Sequence, residues 1–177
     1  MSIIIFDYDD TLFPTTYFQH HQHLSCKDFT RLNNIIEKLI NTLESRGFHI
    51  FLVSNGNSNW IKESVKFIPA LYDKLLSNSI QGISTRDIYE NSPINYDDWK
   101  RLVFVNIFST PPYSFLDIAI GVGDTVNDKE CFEDACKYTK KKHQFIKFDP
   151  AMNIDTLSAT LNEFIKYIHQ HFKKINM

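Results

Sequence analysis

The 177-residue sequence lacks several features by which whole classes of protein are recognised. No apolar run approaches the roughly 18 residues that a membrane-spanning helix needs. The first residues carry no basic segment of the kind that opens a secretory signal. The net charge is only −2, so nothing global attracts nucleic acid or acidic lipid. We therefore expect no membrane partner, and nucleic acid is disfavoured as a partner without being excluded, because a single end-phosphate needs only a local contact.

Cysteine is scarce, and its spacing excludes two further classes. The chain has three cysteines, Cys26, Cys131 and Cys136, which is an odd number and includes no C-x-x-C pair. Such a set does not build a disulfide framework or a cysteine-ligated metal site. The pattern fits reduced thiols, and it predicts a cytoplasmic location.

Internal repeats, low-complexity linkers and breaks in composition are also missing. A chain of this length with 43% hydrophobic residues can bury one ordinary globular core. We expect a single domain over residues 1–177. The sequence leaves open whether that domain is a monomer or a homo-oligomer.

Apolar runs and helical patterns alternate along the chain about five times. The predicted strands are Ser2–Phe6, His49–Val53, Gly82–Thr85, Phe115–Val122 and Phe145–Phe148. The predicted helices run from a capping box at Ser25–Asp28 to Gly47, then over Asn59–Phe67, Ala70–Leu76, Asp128–Tyr138 and Ile154–Lys174. A further helix is predicted to be capped by Asp97, to hold Trp99, Leu102, Val103 and Val105, and to end before Pro111-Pro112. This alternation predicts an α/β fold in which helices cover both faces of a parallel sheet of about five strands.

In parallel sheets of this kind, function collects at the carboxyl ends of the strands. The polar residues that follow predicted strands are Asp7, Asp9, Thr11, Ser54, Asn55, Arg86, Asp124 and Asp128. We expect them to share one edge of the sheet. The triple lysine Lys140–Lys142 precedes a strand and belongs at the opposite edge, where we predict a solvated basic loop rather than a substrate-binding patch.

Four of these residues are carboxylates, and gathering them is costly unless a cation is present. Asp7 and Asp9 follow the first strand, and Asp124 and Asp128 follow the fourth. An all-oxygen ligand set selects a hard ion such as Mg²⁺. Because Mg²⁺ prefers to share a phosphate with the protein, the cluster indicates a phosphorylated substrate.

Three segments together carry a resemblance to a known family. Asp7-Tyr-Asp9-Asp-Thr11 resembles the first motif of the haloacid dehalogenase (HAD) superfamily, D-x-D-x-T. Ser54 resembles the second motif, and "GDTVND" resembles the fourth, G-D-x-x-x-D. The resemblance spans residues 3 to about 130 and implies a three-layer, Rossmann-like αβα core.

The resemblance also implies roles for the acidic residues. Asp7 would be the nucleophile that forms an aspartyl-phosphate. Asp9 would be the general acid and then the general base, with its backbone carbonyl on the metal. Asp7 and Asp124 would bind Mg²⁺ directly, and Asp128 would act mainly through a bound water. Ser54 would donate a hydrogen bond to a phosphoryl oxygen.

The family's third motif is a lysine, which Lys100 in "YDDWKRLVF" fits best because it lies early in the helix before the fourth strand. Lys62 and Lys66 are rivals on another helix. Thr11 would orient the first loop, and Asn55 would contact phosphate beside Ser54. "STRDIYE" followed by "WK" is loosely similar to uncharacterised HAD-like proteins of microbial eukaryotes and large viruses. In that interpretation Arg86 faces the site; the alternative is a surface arginine.

The spacing between motifs leaves no room for a cap domain. A flap over about Leu12–Leu24 is expected, with substrate contacts from the flap and the strand-end loops, namely Tyr17, Phe18, Asn57, Trp60 and Arg86. Trp60 is also a candidate for simple packing. The histidines at 20, 21 and 23 are predicted to be part of a polar flap rather than a metal site. Asp10 stands where the family usually has glycine, and it is predicted to be a turn residue.

The sequence thus predicts a capless, Mg²⁺-dependent phosphatase of the HAD type. Its open site suits a macromolecular substrate, or a small one if a partner or second subunit supplies the lid. Two alternatives stay open at this point: a phosphotransferase, and a non-catalytic HAD-like binding or regulatory protein.

Overall fold

A five-stranded parallel sheet forms the centre of the fold. The computed structural model describes residues 2–20, 25–150 and 153–173. Its strands are β1 (Ser2–Asp7), β2 (Phe48–Ser54), β3 (Ile80–Ser84), β4 (Ile118–Gly123) and β5 (Lys142–Lys147). The order across the sheet is β3-β2-β1-β4-β5, and every neighbouring pair is parallel. The predicted parallel sheet of about five strands is confirmed.

Helices connect the strands, and short 3-10 turns lie between some of them. The described helices are α1 (Thr15–His20), α2 (Cys26–Glu44), α3 (Ser58–Ser64), α4 (Pro69–Leu76), α5 (Thr85–Tyr89), α6 (Trp99–Ser109), α7 (Val126–Tyr138) and α8 (Ile154–His171). The 3-10 turns are Val65–Phe67, Tyr96–Asp98 and Tyr113–Phe115. Among the helices of the described ranges, none is both long and apolar enough to cross a membrane.

Each face of the sheet carries its own hydrophobic core. Ile4 and Phe6 of β1 pack on one side with residues of α2 and α8, whereas Ile3 and Ile5 pack on the other with residues of α6 and α7. Successive side chains of a strand point to opposite faces, so a strand buried on both sides must be apolar throughout. This explains the run "IIIF", and it gives the predicted αβα layers.

The position of β1 determines where the carboxyl-edge residues meet. β1 lies in the middle of the sheet, between β2 and β4, although β2 and β4 are far apart in sequence. The chain leads from β1 to β2 on one side and from β4 to β5 on the other, so a topological switch point lies at the carboxyl ends of β1 and β4. The ends of β1, β2 and β4 therefore converge on one crevice.

At two helix starts, polar side chains accept hydrogen bonds from backbone N–H groups that have no partner within the helix. Ser25 caps α2 in a capping box with Asp28, as the sequence predicts. A second capping box, between Thr125 and Asp128, begins α7 at Val126. The prediction that this helix starts at Asp128 is therefore two residues late.

Several predicted boundaries are wrong for identifiable physical reasons. β4 begins at Ile118 because the residues before it form a 3-10 turn after a double proline. β5 begins at Lys142 because it is an edge strand whose first residues are polar and exposed, so its start has no apolar signal. Thr85 begins α5 instead of ending β3. The helices α1 and α5, of six and five residues, are too short to show a helical period.

The expectation of a solvated lysine loop is also wrong in one respect. Lys141 is buried, and its ammonium donates to the backbone carbonyls of Tyr113, Ser114 and Leu116 at 3.1, 3.5 and 2.6 Å. It therefore joins the start of β5 to the turn before β4. Its location at the amino-terminal edge of the sheet is as predicted.

Candidate active site

Asp7 ends β1, and it is buried at the switch point of the sheet. The carboxylates of Asp124 and Asp128 lie beside it, and one oxygen from each of the three is within 4.8 Å of the other two. Asp124 follows the last residue of β4, and Asp128 lies in the first turn of α7. The structure thus brings together three of the four carboxylates that the sequence assigns to the metal site.

Lys100 points into this cluster from the first turn of α6. Its Nζ lies 2.6 Å from Oδ1 of Asp7 and 2.5 Å from Oδ1 of Asp128. All three side chains are at least nine-tenths buried. The rival lysines of α3 and the turn after it are exposed, and Lys66 pairs with Glu63 in solvent. The geometry therefore favours Lys100 for the third motif.

The pKa values of Asp7, Asp124 and Lys100 all lie above their ordinary values, although the balance of burial and neighbouring charge differs between them. Burial raises the pKa of Asp7 well above its usual value, and the nearby Lys100 only partly offsets this. Burial and the charge of Asp128 likewise raise the pKa of Asp124. Burial alone would lower the pKa of Lys100, but Asp7 and Asp128 outweigh it and hold that pKa above its ordinary value. The site thus has more negative charge than its own lysine neutralises.

Helix capping holds Asp128 in place. Its Oδ2 accepts hydrogen bonds from the backbone N–H and the hydroxyl of Thr125, at 3.1 and 2.6 Å, while its Oδ1 accepts from Lys100. The Cα of Gly123 approaches this side chain so closely that a Cβ there would lie 3.0 Å from that of Asp128. A side chain in place of the glycine of "GDTVND" would therefore crowd Asp128.

The donor set fits a hard divalent cation. Three ionised carboxylates carry three negative charges, Lys100 offsets one, and a divalent ion would offset the remaining two. Both oxygens of Asp128 accept hydrogen bonds from protein groups, whereas the donors that the described residues direct to Asp7 and Asp124 reach Oδ1 of each. Thr11, which is fully buried, reaches Asp124 with its hydroxyl at 3.5 Å. Asp7 and Asp124 are therefore the better placed direct ligands for a metal such as Mg²⁺.

The side chain of Asp9 lies apart from the other three carboxylates. Its Oδ1 accepts hydrogen bonds from the hydroxyl of Thr15 at 2.6 Å and from the indole N–H of Trp60 at 2.8 Å. Its Oδ2 accepts from the hydroxyl of Ser54 at 2.7 Å. A metal contact by Asp9 would have to come from its backbone carbonyl, as the resemblance implies. The sequence gives no signal that identifies Thr15 as a partner.

The ends of β2 and β3 form the opposite wall. Asn55 accepts a hydrogen bond from Thr85 at its side-chain oxygen, which leaves its amide group available. Arg86 donates to the backbone carbonyl of Asn55 at 3.2 Å and to Glu90 at 3.1 Å. Both Asn55 and Arg86 line the same cleft as Asp7. Arg86 thus faces the site and is not a distant surface arginine.

These walls enclose a cleft of about 630 Å³, which is the size of a small-molecule site. Of the predicted substrate contacts, Asn57, Trp60 and Arg86 line it. Tyr17 and Phe18 of α1 are not among the described residues that line the cleft, and Phe18 packs on Phe13 and other rings. The sequence missed Gln19, Tyr96 and Asn127, which also line the cleft.

The turn after β1 explains the unusual residue of the first motif. Asp10 has a φ of 55°, in the left-handed region that favours glycine. Its carboxylate accepts hydrogen bonds from the backbone N–H and hydroxyl of Thr16, which anchor the turn to α1. His20 ends α1 and is exposed. The other flap histidines, at 21 and 23, lie outside the described residues.

Comparison with known proteins supports the fold alone. No protein-family model and no curated protein matches the sequence. The solved HAD domain of effector protein Lem4 from Legionella pneumophila is 14% identical, with a TM-score of 0.60 over 97% of this chain and 95% of that chain. An inactive mutant of that domain is 13% identical, with a TM-score of 0.62 over 97% and 94%. The chain therefore has a HAD-like fold.

Proposed function

We propose that this protein is a Mg²⁺-dependent phosphatase that hydrolyses a phosphate monoester through an aspartyl-phosphate on Asp7. The observation that carries the proposal is the buried constellation of Asp7, Lys100, Asp124 and Asp128 at the switch point of a HAD-like fold. Carboxylates buried this close together repel one another and lose their hydration, which destabilises the fold. Such clusters are typical of functional sites. A resident Mg²⁺ held by Asp7 and Asp124 would supply charge neutralisation for the phosphoryl oxygens.

Each step of the proposed reaction can be assigned to side chains of this protein. Asp7 attacks phosphorus with one carboxylate oxygen, and Lys100, on its other oxygen, steadies it and offsets charge on the phosphoryl group. Asp9 gives a proton to the departing ester oxygen and then takes one from the water that hydrolyses the aspartyl-phosphate. Asn55 donates a hydrogen bond to a phosphoryl oxygen through its amide group. Ser54 does so when Oδ2 of Asp9 carries the proton, because the serine hydroxyl then accepts from that oxygen and its own proton is released for the phosphoryl group. Arg86, on the rim of the cleft, adds positive charge.

The entrance of the site determines how large a substrate can reach it. In the described chain, the segments that follow β1 and β3 hold only the short helices α1 and α5 and the 3-10 turn Tyr96–Asp98 before the next long helix begins. An entrance without a bulky cover suits a phosphate group presented by a macromolecule or a small substrate covered by a partner. That the chain is a single domain without a cap stays a prediction.

A generic aryl phosphate tests the proposal. The purified protein should hydrolyse it in Mg²⁺ and lose turnover in EDTA, and Asp7→Asn should abolish turnover. Asp10→Asn is the matched control, because it makes the same chemical change three residues away at a turn residue. If the wild-type protein shows no Mg²⁺-dependent hydrolysis, the alternative of a non-catalytic binding protein replaces this proposal.

A panel of substrates would then separate the remaining possibilities. Phosphopeptides, end-phosphorylated oligonucleotides and small phosphorylated metabolites should be compared side by side, with phosphate release as the readout. A phosphotransferase would instead release less phosphate when alcohols are present as acceptors, and would yield new esters.

A further inference from the structure

The carboxylate of Asp9 is held by donors from three different elements. Thr15 at the start of α1 and Trp60 in α3 both donate to Oδ1, and Ser54 at the end of β2 donates to Oδ2. The nucleophile, the metal ligands and the phosphate contacts require neither Thr15 nor Trp60. The two residues therefore need a separate explanation.

The donors on the two oxygens differ in chemical character. An indole N–H only donates, so Oδ1 must accept whichever protonation state Asp9 has. A hydroxyl both donates and accepts, so Oδ2 can face Ser54 either as a bare oxygen or as an O–H. The exchangeable proton of Asp9 is thereby directed to Oδ2, the oxygen that faces Ser54.

The residues around Trp60 hold its indole N–H against Asp9. Its ring meets Phe13 edge to face at 5.8 Å, and Asn57 caps the helix that carries it. A Cβ at Gly56 would lie 2.9 Å from Cδ1 of Trp60 and 3.5 Å from Oδ2 of Asp9. Any side chain at position 56 would therefore push the indole away from Asp9. Glycine at that position allows the hydrogen bond to form.

We propose that Trp60 and Thr15 are positioning residues that hold Oδ1 of Asp9 so that Oδ2 exchanges the catalytic proton. This inference rests on the proposed phosphatase function. In the first step the proton leaves Oδ2 for the ester oxygen as the bond from that oxygen to phosphorus breaks and the Asp7–phosphorus bond forms. In the second step Oδ2 takes a proton from water as the water oxygen bonds to phosphorus and the Asp7–phosphorus bond breaks.

Leaving groups of different basicity separate this role from substrate binding. An alkyl phosphate needs a proton on its leaving oxygen, whereas a dinitrophenyl phosphate departs readily without one. We expect Trp60→Phe, which keeps the ring but removes the N–H, to lower kcat/KM for the alkyl ester about tenfold, roughly the effect of one charge-assisted hydrogen bond. The dinitrophenyl ester should change by less than about threefold.

Thr15 offers a matched pair of variants. Thr15→Val removes the donor with little change of shape, and it should reproduce the leaving-group dependence of Trp60→Phe. Thr15→Ser keeps the hydroxyl and should restore the activity on the alkyl ester. Asp9→Asn is the benchmark, with a loss of about 10²-fold or more on the alkyl ester and a smaller loss on the dinitrophenyl ester. Thermal unfolding of each variant checks that it is folded.

The contact itself is testable in metal-free protein by NMR. The chain has two tryptophans, so its indole N–H region should hold two signals, which Trp99→Phe assigns. The Trp60 signal should be shifted downfield by its carboxylate acceptor, and Asp9→Ala should move it upfield while the Trp99 signal stays in place. An unmoved Trp60 signal would overturn the inference independently of any activity.

The kinetic outcomes distinguish a failure of the positioning role of Trp60 and Thr15 from a failure of the proposed phosphatase function. Equal losses on both esters, or no loss on either, would mean that Trp60 and Thr15 do not position the proton donor, and would overturn the inference alone. A wild-type protein that hydrolyses neither ester would overturn the proposed function together with it.

Discussion

Two buried lysines at opposite edges of the sheet show how differently one protein can use the same side chain. Lys100, at the carboxyl edge, is bound by two carboxylates, and its pKa is raised because their charges outweigh its burial. Lys141, at the amino edge, is bound by three backbone carbonyls, and burial lowers its pKa. Dipoles satisfy a buried ammonium without adding charge, whereas carboxylates leave a charged site that can do chemistry.

The largest effect should come from removing the lysine at the carboxyl edge. Lys100→Met leaves Asp7 and Asp128 buried without their cation, which costs about 3–5 kcal/mol of unfolding free energy. Turnover of an aryl phosphate should also fall about 10² to 10³-fold, because a charged donor to the reacting group is lost. Urea unfolding and steady-state kinetics measure the two losses. Lys62→Met, at an exposed position of α3, is the control. Unchanged turnover in Lys100→Met would remove this residue from the site.

The second prediction concerns the negative charge at the carboxyl edge that Lys100 does not neutralise. Mg²⁺ at about 100 times its dissociation constant should stabilise the protein by about 2.7 kcal/mol. For a chain of this length, that is a rise of roughly 5–10 °C in Tm. Asp124→Asn should abolish the rise, and its metal-free form should melt above metal-free wild type because a buried repulsion is relieved. Calorimetry measures both effects. Asp117→Asn, at the amino edge, should keep the full response to Mg²⁺, and equal responses in the two variants would contradict the site.

Lys141→Met should weaken the fold without weakening the chemistry. The loss of hydrogen bonds from a buried ammonium to three carbonyls should cost about 2 kcal/mol of unfolding free energy. Catalytic constants on an aryl phosphate should stay within about twofold of wild type, since Lys141 is not one of the described residues that line the cleft. Lys142→Met, one residue later at an exposed position of β5, serves as the control for urea unfolding. A loss of turnover larger than the loss of folded protein would show that the two edges are coupled.

The smallest effect is a difference in thiol reactivity between Cys26 of α2 and the two cysteines of α7. Burial raises the pKa of Cys131 to about 11 and that of Cys136 to about 12, whereas Cys26 is exposed. Because the thiolate is the reactive form, Cys26 should react quickly with a chromogenic disulfide at neutral pH. Cys131 and Cys136 should react only after unfolding. Mass spectrometry assigns the labelled residues, and three fast thiols would contradict the packing.

Much of the fold was predictable because its signals are local. The apolar run of β1 and the capping box of α2 are complete within a few residues, and both led to correct elements. The start of β5 was not predictable, since an edge strand exposes its side chains and lacks the pattern of a buried one. The burial of Lys141 was not predictable either, because its partners come from a turn more than 20 residues away.

The candidate site divides in the same way. The motifs indicated Asp7, Asp124 and Asp128 because their spacing after strands is a property of the sequence, and the structure places them together. The contacts of Asp9 with Thr15 and Trp60 depend on how a six-residue helix and α3 pack, for which no sequence period exists. The same holds for Tyr96 in the wall of the cleft.

The central claim is that Asp7 carries the phosphoryl group. Asp9→Asn should slow hydrolysis of the aspartyl-phosphate while still forming it from a dinitrophenyl phosphate, which needs no proton donor. After an acid quench, borohydride reduction and mass spectrometry of the peptides would locate the modified residue. The account predicts modification at Asp7 alone, and modification of another residue, or none while wild type continues to hydrolyse that ester, would contradict it.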